Sequence, residues 1–419
     1  MLKNFWYAVE FADRVTTKPI KVTVLGQTFA VYRTPKTGRA VVLSDLCVHR
    51  GAALSGGWTK EGEDCIVCPY HGWEFQPDGA VTKIPANQPG RGIPKKARVD
   101  SYPVQEKYGF VWAFLGDLPE EERPPLPEWP EFDDRIENGG KYAMVRGEFL
   151  WKANYERILE NGCDIAHAPW VHGGVFGNRE KPEVPEYEIE KQDEWSAFAT
   201  VVQYPPKSKG LWSLKAKGDK DLQKRPPVTT RAGWMLPNMI KLHVQMSMGD
   251  MILYDVNVPI DETTTLVKWV QFRTFFKGKW ANKNAVERVL RIFHEDAEIV
   301  NDVRPELLPF DLGAELHVKS DAIAVHYRRR RQELAAMGWL IGAEDTVMGD
   351  VPRREATVIP SPARRENPEL ARAWVHKAKG IHATVQEAQR IGQERITEEE
   401  GVDAAAAADA EFNKKGTDK

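Results

Sequence analysis

Four side chains between Cys47 and Trp73, in the stretch CVHRGAALSGGWTKEGEDCIVCPYHGW, have the types and spacing of a metal site. Cys47 and His49 form a C-x-H pair. After eighteen intervening residues, Cys68 and His71 form C-x2-H. The chain holds 4 cysteines and 10 histidines in 419 residues, so the crowding is itself a signal. Two thiolates and two imidazoles suit either zinc or a [2Fe–2S] cluster with one histidine-ligated iron. A zinc finger keeps its cysteines in one half and its histidines in the other. Here each half mixes both, as suits two loops that must each touch both irons. Cys65-x2-Cys68 is also a zinc-type knuckle, but a site of Cys47, Cys65 and Cys68 leaves His71 unexplained. Cys65 is read instead as a buried apolar side chain. Gly51, Gly56, Gly57, Pro69 and Gly72 permit the tight loops the site needs. Arg50, Tyr70 and Trp73 flank the ligands, where they can exclude water and tune a cluster.

A second group lies in ENGCDIAHAPWVH, Glu160 to His172. Asp164 and His167 are three apart on an expected helix and would share its face. Pro169 is expected to end that helix, so that His172 returns toward the same point. Two histidines plus one carboxylate form the facial triad of non-haem Fe(II) sites, which keeps positions open for dioxygen and substrate. H-x4-H alone is weak, because two histidines near a helix end are usually ordinary satisfied polar groups. The carboxylate is sought in the later helix NAVERVLRIFHEDAEIVNDV. Val286, Val289, Phe293, Ala297, Val300 and Val303 make its apolar stripe, and Asp296 falls on that stripe. A bare carboxylate on a buried face is costly unless paired or metal-bound. Glu295 and Asp302 sit further round, toward solvent, and with Glu298 they are the alternative ligands. His294 is read as a surface or supporting residue and Cys163 as helix packing. Trp170 and Phe176 are candidates to line a substrate pocket. The basic run YRRRRQE, Tyr327 to Glu333, reads as a solvated helix face.

Short strands and tight turns must carry the first site. IKVTVLGQTFAVYRT, RAVVLSDL and YGFVWAFLG read as strands separated by Gly and Pro. PEEERPPLPEWPEFDD then cannot continue a sheet and reads as an extended connector. A helix is expected from about Gly147. The runs EWSAFATVVQY, MIKLHVQMSM, MILYDVNVPI and TTTLVKWVQFRTFF follow with no helices between them, so they predict an antiparallel sheet, with Asp261 to Thr263 turning the last hairpin. A long helix is expected over about Asn284 to Val303 and another near Ser320 to Met337. After about Gly342 the chain turns polar, and its end is expected to be disordered. The fold class is therefore α+β, too long for one core, with domains over 1–130 and 131–340 and an extension over 341–419. A net charge of −3 argues against nucleic acid. No apolar window is long enough for a membrane span, and the start, MLKNFWYAVEFADRV, is no secretory signal. So few cysteines suit a reducing cytoplasm. There is no G-x-G-x-x-G after a strand for a nicotinamide or flavin, and no C-x4-C-x2-C of plant-type ferredoxins.

CVHRG…CPYHGW together with DIAHAPWVH resembles the motifs of the Rieske non-haem iron oxygenases, over about residues 1 to 340. The resemblance implies a terminal oxygenase component. Its N-terminal antiparallel β domain would carry a Rieske cluster, with Cys47 and Cys68 on one iron and His49 and His71 on the other. A helix-grip domain, an antiparallel sheet wrapped around a long helix, would carry mononuclear Fe(II) on His167, His172 and Asp296. Asp164 would not bind iron but would bridge His167 to His71 of a neighbouring subunit, in a homotrimer. Electrons would come from NAD(P)H through a separate reductase, possibly a ferredoxin. With O2 the enzyme would hydroxylate or oxidatively demethylate an aromatic or similar organic substrate; ring cis-dihydroxylation is the alternative. A Rieske electron-transfer protein would explain the cluster but not DIAHAPWVH or Asp296. A zinc-stabilised binding protein is the third reading.

Overall fold

The computed structural model describes residues 1–172, 177–204, 227–341, 357–366 and 377–378. The strand-length apolar runs pair as antiparallel sheets. In the N-terminal part β2 (Ile20–Val24), β3 (Gln27–Arg33), β4 (Ala40–Ser44) and β9 (Ser101–Tyr102) form one sheet in that order. The two-residue strands β5 (Trp58–Thr59), β6 (Ile66–Val67) and β7 (Glu74–Phe75) form a second sheet with β8 (Val81–Lys83). A third has the order β1 (Phe5–Phe11), β11 (Phe110–Leu115), β10 (Val104–Lys107).

Every residue of β11, FVWAFL, is buried. A continuous apolar run without alternation has both faces covered. The largest buried cluster accordingly runs from Phe5 and Tyr7 through Trp112 and Trp129 to Tyr254, Val270 and Trp339. It thus crosses from the N-terminal sheets into the C-terminal part, where separate cores were expected. The proline-rich connector contributes to it: Trp129 stacks on Tyr108 at 4.8 Å and on Tyr254 at 4.3 Å. The cluster loops keep a smaller core of their own, around Tyr32, Leu43, Leu54 and Phe75.

The C-terminal sheet has seven strands in the order β12 (Ala143–Trp151), β18 (Thr265–Arg273), β17 (Gly249–Pro259), β16 (Met239–Met246), β15 (Val228–Met235), β14 (Ser196–Gln203), β13 (Ile189–Asp193). Residues 147–151, expected as helix, belong instead to β12, which pairs with β18 over its whole length. The reason is packing across the sheet: a Cβ on Gly147 would stand 2.5 Å from the Trp269 ring. The helix begins only after Asn154, whose side chain accepts the Glu156 N–H. This is α1 (Tyr155–Cys163); the short α2 (Ala168–Val171) follows it. The long helix α3 (Asn282–Val300) lays Ala285, Val289, Phe293, Ala297 and Val300 against Val145, Trp151, Val267 and Trp269 of the sheet.

The basic run lies on α4 (Ala322–Ala336), and two of its four arginines are not solvated. Arg328 forks onto Glu160 at 2.5 and 2.7 Å, and Arg331 reaches Glu156 at 2.6 Å. Both carboxylates come from α1, so the arginines bind α4 to the helix that leads into DIAH. A charge run cannot reveal which of its members have buried partners. Residues 357–366 lie in the expected extension and dock on the N-terminal sheets. Arg364 pairs with Asp100 at 2.7 Å with both side chains buried, and the Tyr102 hydroxyl donates to Ile359 O at 2.7 Å. Among the described residues no helix is long and apolar enough to cross a membrane.

Candidate metal centres and substrate cavity

The two cluster loops are built alike. Cys47 O accepts the Gly51 N–H and Cys68 O accepts the Gly72 N–H, closing a tight turn over each histidine. Gly51 and Gly72 have φ of 71° and 70°, a conformation that favours glycine. Cys47 and Cys68 are buried, while His71 is exposed at the loop tip. The Nδ1 atoms of His49 and His71 face each other at 3.1 Å. Trp73 stacks on His49 at 4.5 Å, and Tyr70 lies over His71 at 3.9 Å, as expected of flanking shields. Burial, with Cys68 beside it, pushes the Cys47 thiol up to about 12 against the backbone N–H groups of His49 and Arg50 aimed at its sulfur. Desolvation, then His71 and Arg50, push His49 down, toward the neutral imidazole that a metal takes. Two buried sulfurs and two converging imidazole nitrogens fit a cluster of the Rieske kind, since a metal displaces the proton of a coordinated thiol to solvent and leaves the thiolate. Cys65 is fully buried with its sulfur 3.5 Å from Glu63 Oε2.

The second group converges from three places in the chain. His167 caps the N-terminus of α2 and His172 its C-terminus, and Asp296 projects from α3. His167 Nε2 and His172 Nε2 are 3.3 Å apart. Asp296 Oδ1 lies 3.5 Å from the first and 3.2 Å from the second. This oxygen is buried and makes no hydrogen bond. Three ligand atoms around one point, one of them an unsatisfied carboxylate oxygen, fit a divalent cation of the Fe(II) type. Pro169 does not end a helix here but sits in the first turn of α2, where its missing N–H costs nothing. Nor do Asp164 and His167 share a helix face. Asp164 follows the last residue of α1 and turns the chain by accepting the N–H groups of Ala166 at 2.7 Å and His167 at 3.2 Å. Its Oδ2 is 3.5 Å from His167 Nδ1, and the hydrogen bond the resemblance implied is not made within this chain.

Glu295 corrects the reading from helical geometry. Its side chain is 32% exposed, yet its carboxylate sits 2.9 Å from His172 Nδ1. Burial lowers the His172 pKa, yet Asp296 and Glu295 outweigh it and hold the ring above its ordinary value. A carboxylate on the outer nitrogen fixes the tautomer that leaves Nε2 free for metal. The signal was available: an acid beside the expected ligand, on a helix packed against the histidines. His294 is exposed and packs edge-on against Phe149, and Cys163 is buried at the end of α1.

The triad opens into a cavity of about 490 Å³, in the range of small-molecule sites. Its floor is one face of the sheet, from Thr230 and Ala232 on β15 to Gln271 on β18, and its wall is Val289, Ile292 and Phe293 of α3. Asp255 lines it too. Burial, and then the charge of Asp296, push its pKa up to about 8. No motif pointed to Asp255, which reads as a polar interruption of a strand. Trp170 does not line the cavity and is largely exposed. Phe176 lies outside the described residues.

Comparison with known proteins agrees with this arrangement. Residues 5–103 match the Rieske [2Fe-2S] domain and residues 151–337 the vanillate O-demethylase oxygenase C-terminal domain. The vanillate O-demethylase oxygenase subunit of Pseudomonas sp. (strain HR199 / DSM 7063) is 26% identical over 351 residues, covering 78% of this chain and 93% of that one. The chloroplastic chlorophyllide a oxygenase of Chlamydomonas reinhardtii is 35% identical over 179 residues, 42% of this chain; the match spans only 25% of the algal protein. The fold superposes on NdmA of Pseudomonas putida CBB5 with caffeine at a TM-score of 0.64 and 22% identity, covering 84% of this chain and 98% of that one. With a Rieske domain followed by this oxygenase domain in a single polypeptide, the chain belongs to the Rieske non-haem iron oxygenases, as a terminal oxygenase or α component.

Proposed function

We propose that this chain hydroxylates or oxidatively demethylates a small organic substrate, using dioxygen and electrons delivered by a separate reductase or ferredoxin. The observation that carries the proposal is the triangle of His167 Nε2, His172 Nε2 and Asp296 Oδ1 at 3.2–3.5 Å, facing a cavity large enough for substrate. Residues 1–130 are read as the electron-storing domain and 131–340 as the oxygenase domain. Cys47, Cys68, His49 and His71 would hold the [2Fe–2S] cluster, and His167, His172 and Asp296 the iron. When bound, these groups supply one-electron storage and dioxygen activation respectively.

The protein's own residues would do the rest. Glu295 accepts a hydrogen bond from His172 Nδ1–H and keeps Nε2 turned inward. The sheet face and α3 exclude water and hold the substrate, and its orientation decides which bond is attacked. Monooxygenation takes one dioxygen, two electrons and two protons, and releases one water with the product. Asp164, with its side chain 35% exposed, is placed to accept a hydrogen bond from outside the protomer, which supports the bridge to His71 of a neighbour and a homotrimer. Four cysteines without disulfides suit a cytoplasmic setting. Names such as vanillate O-demethylase favour demethylation or monohydroxylation over cis-dihydroxylation.

Metal analysis and one variant test the reading. The purified protein should be brown, with about three irons and two acid-labile sulfides per chain. His167→Ala should keep the cluster spectrum and abolish product formation. Undiminished turnover would show that iron is not held there.

A further inference from the structure

We propose that Asp255 anchors the substrate, and that the substrate is a largely apolar molecule presenting an N–H or O–H donor rather than an acid group. This deepens the oxygenase reading and rests on it. Strand β17 alternates cleanly. Met251, Leu253 and Asp255 face the cavity, while Ile252, Tyr254 and Val256 enter the core on the other face. Asp255 therefore takes the position of a third apolar lining residue. Its residue is 7% exposed, and its Oδ1 is buried with no hydrogen-bond partner. Beside it on the adjoining strands stand the apolar Ile240 and Trp269, whose indole N–H lies toward Gly147 of β12 and donates to nothing.

A buried carboxylate oxygen without a donor is destabilising, and an apolar side chain would fill this position at less cost. Asp255 also stands outside the set of ligand atoms formed by His167, His172 and Asp296, so iron does not account for it. The missing donor must enter with whatever fills the cavity. A hydroxyl and a protonated amine both supply one. A carboxylate or sulfonate, being ionised, offers only acceptor oxygens and would leave Asp255 without its donor. Held at Asp255, the donor end of the substrate is fixed relative to the triad, and the apolar remainder lies along Leu253, Leu242 and Val244.

Anaerobic calorimetric titration of the full-length, metal-loaded protein tests this with four probes on one skeleton: tetralin, 2-tetralol, 2-aminotetralin and tetralin-2-carboxylate. The alcohol, the amine or both should bind ~10–100-fold more tightly than tetralin, with the carboxylate weakest. An advantage of the amine alone identifies a cationic donor, and an advantage of the alcohol a neutral one. Asp255→Leu should level the series, whereas Asp255→Asn should retain the alcohol's advantage and reduce the amine's. A carboxylate that binds best, a flat series, no binding by any probe, or an unchanged order in Asp255→Leu overturns the proposal. Should the Leu variant not fold, the wild-type ranking and the Asn variant decide. Iron and sulfide content of the same preparation separates the two ideas. A flat series on fully loaded protein sinks only the anchor, and a graded series on protein lacking the third iron sinks only the oxygenase reading.

Discussion

The cluster candidates sit on two surface loops joined by a few residues of sheet, and His71 reaches solvent. The iron candidates are drawn from an inter-helical turn and from α3, more than a hundred residues later, and His172 and Asp296 are 3% and 6% exposed. The first centre is shaped by local backbone: one glycine with positive φ in each loop, Gly51 and Gly72, folds it back onto its own cysteine. The second is shaped by packing, because nothing local brings Asp296 to His172. The difference follows from what each centre has to meet. An electron can enter through an exposed imidazole, whereas dioxygen chemistry on an organic molecule requires a closed, water-poor cavity. It also predicts that damage to one centre should leave the other standing.

Loss of a cluster ligand should have the largest effect. Cys47→Ala should abolish the visible absorbance and about two of three irons, with the third retained; loss of all iron would show that the centres are not independent. Next is the tether between residues 357–366 and the cluster side of the molecule. Arg364→Ala leaves Asp100 buried without its partner and should cost about 3–5 kcal/mol in urea unfolding. If stability is unchanged, that docking is not a structural element of the N-terminal half. Glu295→Ala should weaken binding of the third iron ~10–100-fold, measured by chelator competition, without altering the cluster spectrum. The smallest change is expected from Asn154→Ala. It removes the cap of α1 and should lower stability by about 1 kcal/mol. Its effect on iron should fall on the third ion and not on the cluster, since α1 leads into the turn that bears His167.

Legibility in the sequence followed the same division. The convergence of the cluster candidates could be read from spacing because each cysteine, its turn and its histidine are contiguous. The strand runs of the C-terminal sheet were readable from apolar patterning, and Asp296 from its place on the apolar stripe of α3. Glu295 was misassigned because a helical wheel records only the helix's own faces, and His172 arrives from another element. Arg328 and Arg331 were misjudged for the same reason, since their partners Glu156 and Glu160 lie on α1. The start of α1 was misplaced because Gly147 to Trp151 pair with β18 through packing that propensity does not contain.

The order of the chain by itself determined the types of the candidate ligands, the two loops that present the cluster candidates, and the alternation that makes one face of the sheet apolar. These depend on interactions among neighbours in sequence. Tertiary structure alone decided that Glu295 supports His172, that Arg364 closes on Asp100, and that Asp255 stands without a donor in the cavity. Each of these depends on which groups meet once distant segments are desolvated together, where a charge is satisfied or stranded according to what lies opposite it.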